Sequence, residues 1–200
     1  MLLRTGQLLV GCVVLGLGVA GLLVASLGSD GYSTMINGLS LALGLPFLAV
    51  NVSVGVVLVL LAWLRGHRPG VGTVTQPLVV GSVVSLVLGT VETPDSLAVR
   101  VALLAVSLPV LSLGIAAYLA ADLGAGPTEV AALALDPPVP FRWSYGVVQG
   151  GGALAGWVCG AAVGIGTVLV IALIGPLVAW FASLSPLLRA PDPDGPDVTA

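Results

Sequence analysis

The chain has 200 residues, of which 58% are hydrophobic and only 8% charged, and its formal net charge is −3. A soluble domain carries about 25% charged residues, so a water-facing surface cannot be built from this composition and the solvent must be lipid. One histidine, no lysine and no basic cluster leave no footprint for nucleic acid.

A membrane-spanning helix needs about 20 mostly apolar residues. Read in order, six runs qualify, near 7–27, 46–64, 71–89, 100–121, 142–160 and 164–184. The first contains Leu9-Val10-Gly11-Cys12, which has the look of a lipoprotein cleavage box. The apolar run continues past it to Leu27, so it reads as a span rather than a cleaved leader. Cys12 and Cys159 read as small packing residues.

Two apolar stretches, near 32–44 and 127–136, are too short to span. Each follows a glycine-rich turn, Gly28-Ser29-Asp30-Gly31 and Gly124-Ala125-Gly126-Pro127. Asp30 suits a helix N-cap and Pro127 a first helical turn, with Glu129 close to the positive helix start. Both stretches are expected to be half-helices, either re-entrant or lying at the interface. The polar end 186–200, with Pro191-Asp192-Pro193-Asp194, is expected to be disordered.

The chain is written twice. Gly70-Val71-Gly72-Thr73 returns as Gly164-Ile165-Gly166-Thr167, with a further glycine in each copy at Gly81 and Gly175. Pro46-Phe47 pairs with Pro140-Phe141 and Trp63 with Trp157. Leu15-x-Leu17-Gly18 pairs with Leu111-x-Leu113-Gly114, Leu27-Gly28 with Leu123-Gly124, and Arg4 with Arg100. One membrane domain over 1–185 is expected, with repeats at 4–90 and 100–184. Three spans per repeat is an odd number, so the second copy should be inverted. The expected fold is all-α and polytopic: six helices as two inverted three-helix repeats, each with a half-helix between its first and second spans. With the N-terminus inside, Arg4, Arg65, Arg68, Arg142 and Arg189 face the cytoplasm and only Arg100 faces out. This places both termini in the cytoplasm.

Small residues recur at helical spacing at Gly81, Ser85 and Gly89, at Gly175 and Ala179, and at Gly152, Gly156 and Gly160. Such stripes let backbones approach closely, and leucine at Gly81 or at Gly175 is expected to force helices apart. Chemistry is poorly supplied. His67 stands alone in a loop, no span carries a carboxylate at its centre, and no metal-ligand spacing is present. No catalytic residue, metal or cofactor is expected, and the chain does not read as an enzyme. The polar residues worth weighing are Asp30, Asn37, Asn51, Asp122, Glu129 and Gln149. They serve either as caps and interhelical hydrogen bonds or as the lining of a common cavity. Tyr145, the strict repeat partner of Asn51, lies one helical turn before Gln149.

These short motifs, duplicated in order, resemble the YczE/YyaS/YitT group of bacterial integral membrane proteins over about residues 8–185. Leu123-Gly124-Ala125-Gly126-Pro127 and Gly164-Ile165-Gly166-Thr167-Val168 carry it most strongly. The resemblance implies a polytopic fold in the bacterial inner membrane and no settled activity. Members usually carry an acidic residue about where Gln149 stands, a departure that bears on any ionic role there. Paired broken segments in inverted repeats are the architecture of many secondary transporters, which leads to an expected transporter or permease of a small molecule or ion. The rival expectation is a non-catalytic scaffold acting through its glycine faces. The lipid bilayer is the expected partner, with a homo-oligomer possible.

Overall fold

The computed structural model describes residues 2–66, 68–135 and 141–189. His67, the far end of the second short stretch and the tail from 190 lie outside the described residues, as do the side chains of Phe141 and Arg142.

All regular structure among the described residues is helical: α1 (Leu2–Ala25), α2 (Gly31–Leu43), α3 (Phe47–Leu64), α4 (Val71–Leu88), α5 (Leu97–Ala120), α6 (Pro127–Ala134), α7 (Phe141–Val158), α8 (Ile165–Leu184) and a 3-10 turn at Pro186–Leu188. Five of these, α1, α3, α4, α5 and α8, are long and apolar enough to cross a membrane. The sixth expected span, α7, has the 18 residues of α3 and α4 but is not among the five. Arg142, Ser144, Tyr145, Gln149 and its glycines dilute its apolar character. Large apolar side chains such as Leu60, Trp63, Leu86, Val168 and Leu173 are exposed on the outer helices, which suits lipid as solvent and points to a membrane-embedded chain.

The two short helices form where their caps specify. Asp30 is the N-cap of α2 and its Oδ2 accepts from Ser33 N–H at 2.9 Å. Gly44 closes α2 in the left-handed conformation, where glycine carries no Cβ penalty. Pro127 opens α6, with Glu129 in its first turn. Pro77, Pro109 and Pro176 sit inside α4, α5 and α8, which run through them without a break.

α1 and α5 form the centre of the molecule and run antiparallel. Gly11 lies against Tyr118, Leu15 against Gly114, and Gly18 against Leu111. These contacts are reciprocal: Leu15 and Leu111 are repeat partners, as are Gly18 and Gly114, and each leucine rests on the other copy's glycine. The loops repeat the pattern. Gly72 N–H donates to the Leu123 carbonyl at 2.6 Å, and its partner Gly166 N–H donates to the Leu27 carbonyl at 2.9 Å. The two Gly-x-Gly-Thr motifs thus each hold the Leu-Gly turn of the opposite repeat. Both turns need the left-handed region, with φ of 109° at Gly28 and 121° at Gly124. At the helix ends, Arg100 Nε donates to the Ala25 carbonyl at 2.6 Å, while Arg4 pairs with exposed Asp122 at 3.6 Å.

The repeats differ in how their outer helices close. α3 lies along α4, whereas α7 and α8 form no comparable interface. A Cβ at Gly81 would meet Leu48 Cδ1 at 2.9 Å and Asn51 Nδ2 at 3.0 Å, so the close approach expected there is present. At Gly175 the expectation fails: nothing lies within 4 Å of such a Cβ. Gly175 and Ala179 face an open cleft instead of a helix. Gly152 and Gly156 do mediate a close contact, against the backbone of α2 at Gly31 and Thr34, while Gly160 ends its helix in open space with φ of 95°. Ser85 accepts from Leu48 N–H at 2.7 Å, satisfying one of the donors that the start of α3 leaves without an intrahelical partner, and Gly89 only closes α4.

Candidate functional site

Both short helices begin at the same place. The first turns of α2 (Tyr32, Ser33) and α6 (Thr128, Glu129) line a central cavity of about 40 Å³, together with residues of α1, α3, α4, α5, α7 and α8. Asp30, Asn51, Glu129 and Gln149 all reach it. Asn37 and Asp122 do not. Asn37 lies beside a separate 480 Å³ pocket with Ser26, Glu92 and Thr93, and Asp122 is spent at the surface on Arg4.

A chain of hydrogen bonds ties four helices around the cavity. Asn51 Nδ2 donates to the Pro77 carbonyl at 2.8 Å, and Tyr32 Oη donates to Asn51 Oδ1 at 2.9 Å. Tyr32 N–H donates to Gln149 Oε1 at 3.2 Å, and Gln149 Nε2 donates to Tyr145 Oη at 3.1 Å. A backbone carbonyl can only accept and a backbone N–H can only donate, so the orientation of both side-chain amides is fixed by their partners. Asn51 and Gln149 therefore bond across helices and line the cavity at once. Gly81 belongs to this network, because any side chain there would strike the Asn51 amide.

The two carboxyls differ in how they are occupied. Asp30 has both oxygens committed: Oδ1 accepts from Ser29 Oγ at 3.1 Å and Oδ2 from the α2 backbone. It is a cap that happens to face the cavity. Glu129 is partnered more loosely. Its Oε2 and the Gln76 amide nitrogen both approach Gly126, at 2.8 and 3.1 Å from where a Cβ would stand. Tyr118, 1% exposed, also lines the cavity and interacts with the Glu129 carboxyl, yet its hydroxyl closes no hydrogen bond of normal geometry. α6 lies outside the spans, and burial pushes the Glu129 carboxyl above its ordinary value of 4.5, with the charge of Asp30 adding to the rise.

The electrostatic balance can be drawn up. Two helix starts bring roughly half a positive charge each, against two carboxyls, and no arginine is among the described residues that line the cavity. With both carboxyls ionised the site is negative; with Glu129 protonated it is close to neutral. Its volume admits water molecules or one small ion and excludes a metabolite. No group of three or more His, Cys, Asp or Glu stands together as a metal cluster among the described residues.

Glu129 and Tyr145 also open on a second space. A cleft of about 590 Å³ lies between α5, α6, α7 and α8, walled by residues including Leu119, Leu133, Gly175, Val178 and Ala179. It is the gap left where α7 stands away from α8. Ile115 and Ile174 separate it from the small cavity and line both.

Sequence reasoning missed the tyrosines. Tyr32 and Tyr118 are not among the polar residues weighed in the sequence, and Tyr145 enters only as the repeat partner of Asn51, although the spacing Tyr145-x-x-x-Gln149 puts two polar groups on one helix face. Gln76 was missed too, a lone amide one residue before Pro77.

An uncharacterised protein of Haemophilus influenzae (strain Rd) is 25% identical to this chain over 175 residues, covering 86% of this chain and 79% of that protein. No solved structure matches the chain. The family model for DUF6198, described as a family of unknown function, matches residues 2–183, so the chain belongs to that family.

Proposed function

We propose that this protein is a small inner-membrane transporter, akin to the YczE/YyaS/YitT group and built as an inverted repeat. Its central cavity takes a proton or a small cation at Glu129. One observation carries the reading. A carboxyl with no basic side chain among the described residues around it sits where two short helices start, in a cavity that several helices share. Ionisable groups held inside a membrane protein are expensive and mark ion and substrate pathways. The antiparallel pairing of α1 with α5 and the reciprocal loop contacts support the inverted repeat. The arginine distribution supports cytoplasmic termini. The uncovered face at Gly175 and Ala179 is the observation that favours the rival reading, a scaffold that docks a partner helix or a second copy.

The test is reconstitution in liposomes loaded with a pH indicator, with a potassium, sodium or thallium gradient imposed. Cation-driven proton movement is expected from the wild type and not from Glu129→Gln, while Asp30→Asn, which keeps its capping oxygen, should retain most of it. Equal movement in wild type and Glu129→Gln, or none above empty liposomes, would overturn the reading.

A further inference from the structure

The small central cavity lies beside a space an order of magnitude larger. We propose that the cleft between α7 and α8 is a binding site for a lipophilic organic cation, which enters sideways from the bilayer and sets its charged group against Glu129. The proposal rests on the cation-site reading above and names its substrate class.

The shape of the cleft suits such a molecule. Its 590 Å³ falls in the range that encloses a drug-sized ligand. Its walls are almost wholly apolar, from Leu119, Leu133 and Val178, so an apolar body loses nothing by leaving lipid. The cleft reaches α8 at Ile174 and Gly175, halfway along that helix, so it opens at the depth of the acyl chains rather than at the headgroups.

The chemistry of the inner end selects the charge. Glu129 stands there with the Tyr145 ring, and both line the small cavity as well. A carboxyl and an aromatic face together favour a cation. A neutral acyl chain would bring no charge to the Glu129 carboxyl at the inner end of the cleft.

The other repeat shows that the opening is a feature of this half of the molecule. At the corresponding place α3 closes on α4, with Leu48 and Asn51 packed over Gly81. In the second repeat the partner of Asn51 is Tyr145, whose hydroxyl accepts from Gln149, and Gly175 is left bare.

The experiment is equilibrium binding of labelled tetraphenylphosphonium to the protein in lipid nanodiscs, with empty nanodiscs subtracted. Thallium binding is measured on the same samples. Saturable binding of the phosphonium at one site per chain is expected. Glu129→Gln removes the charge, and Gly175→Leu fills the cleft at a position where no atom stands in its way. Each should weaken binding about tenfold or more. Retained affinity in either variant overturns the proposal, since the cation would then bind without the carboxyl or without the cleft. Thallium binding without phosphonium binding leaves the small-cation reading standing and overturns the cleft site; binding of neither overturns both.

Discussion

The first repeat is closed where the second is open. In the first, α3 lies on α4, the Asn51 amide reaches the Pro77 carbonyl, and Gly81 leaves room for that reach. In the second, α7 stands off α8, and Gly175, the partner of Gly81, touches nothing. The difference traces to side chains at equivalent positions. Where the first copy has short Asn51, the second has Tyr145, too large to lie over a glycine at the same separation. It turns inward and accepts from Gln149. The two halves thus share their loop contacts and their central helix pair, while one pair of outer helices parts. The site lies where the closed half and the open half meet.

The largest effect should come from breaking the closed half. Gly81→Leu places a branched side chain against Leu48 and displaces the Asn51 amide. Overpacking costs about 1–3 kcal/mol, and a buried hydrogen bond is lost with it. A sharp fall in folded yield and melting temperature in detergent is expected. Gly175→Leu is the matched control and should melt within a few degrees of wild type, helped by leucine's better helix propensity. Equal losses at the two glycines would erase the contrast.

Next comes the hydrogen-bond chain. Asn51→Leu leaves the buried Tyr32 hydroxyl without an acceptor, at a cost of about 1–3 kcal/mol. Tyr145→Phe removes the hydroxyl that accepts from Gln149, whose amide lines the cavity and can turn to water there. Its cost should be well under half as large. Thermal unfolding of both variants in one detergent gives the ratio, and a costlier Tyr145→Phe would show that the second half is the tighter one.

The smallest effect is a slope. Burial raises the Glu129 carboxyl, so the folded state favours the neutral acid. A raised carboxyl contributes stability in full below its ordinary value of 4.5. That contribution is lost as pH rises through the raised value, at no more than about 1.4 kcal/mol per pH unit for one proton. Glu129→Gln removes the slope. The variant should therefore gain on wild type as pH rises, and parallel melting curves across pH would contradict the assignment.

Much of this architecture was legible beforehand. Helix lengths, the half-helices, their caps at Asp30 and Pro127, and the duplication all follow from apolar run length, turn residues and repeated motifs. The equivalence of the half-helices pointed to a shared cavity, and Asp30, Asn51, Glu129 and Gln149 are all among the residues that line the small central one. Three features did not show. The role of Gly-x-Gly-Thr, holding the opposite repeat's Leu-Gly turn, is a long-range contact that no local pattern reveals. The tyrosines carry an apolar ring and a polar tip, and composition counts only the ring. The gap at Gly175 was hidden because small-residue spacing states that helices can approach, not that they do. Asn37 lines a separate pocket and Asp122 pairs with Arg4 at the surface, placements set by long-range packing that local spacing does not reveal.

The contrast between the halves can be read as a distance. Val56 on α3 and Val74 on α4 correspond to Gly150 on α7 and Val168 on α8, and all four positions are exposed. With Cys12→Ser and Cys159→Ser in place, spin labels are attached through paired cysteine substitutions, Val56→Cys with Val74→Cys and Gly150→Cys with Val168→Cys. Pulsed electron resonance in nanodiscs then compares the two separations. A clearly longer distance across α7 and α8 than across α3 and α4 is expected; equal distances, or a longer one in the first repeat, would contradict the open cleft and the site that depends on it.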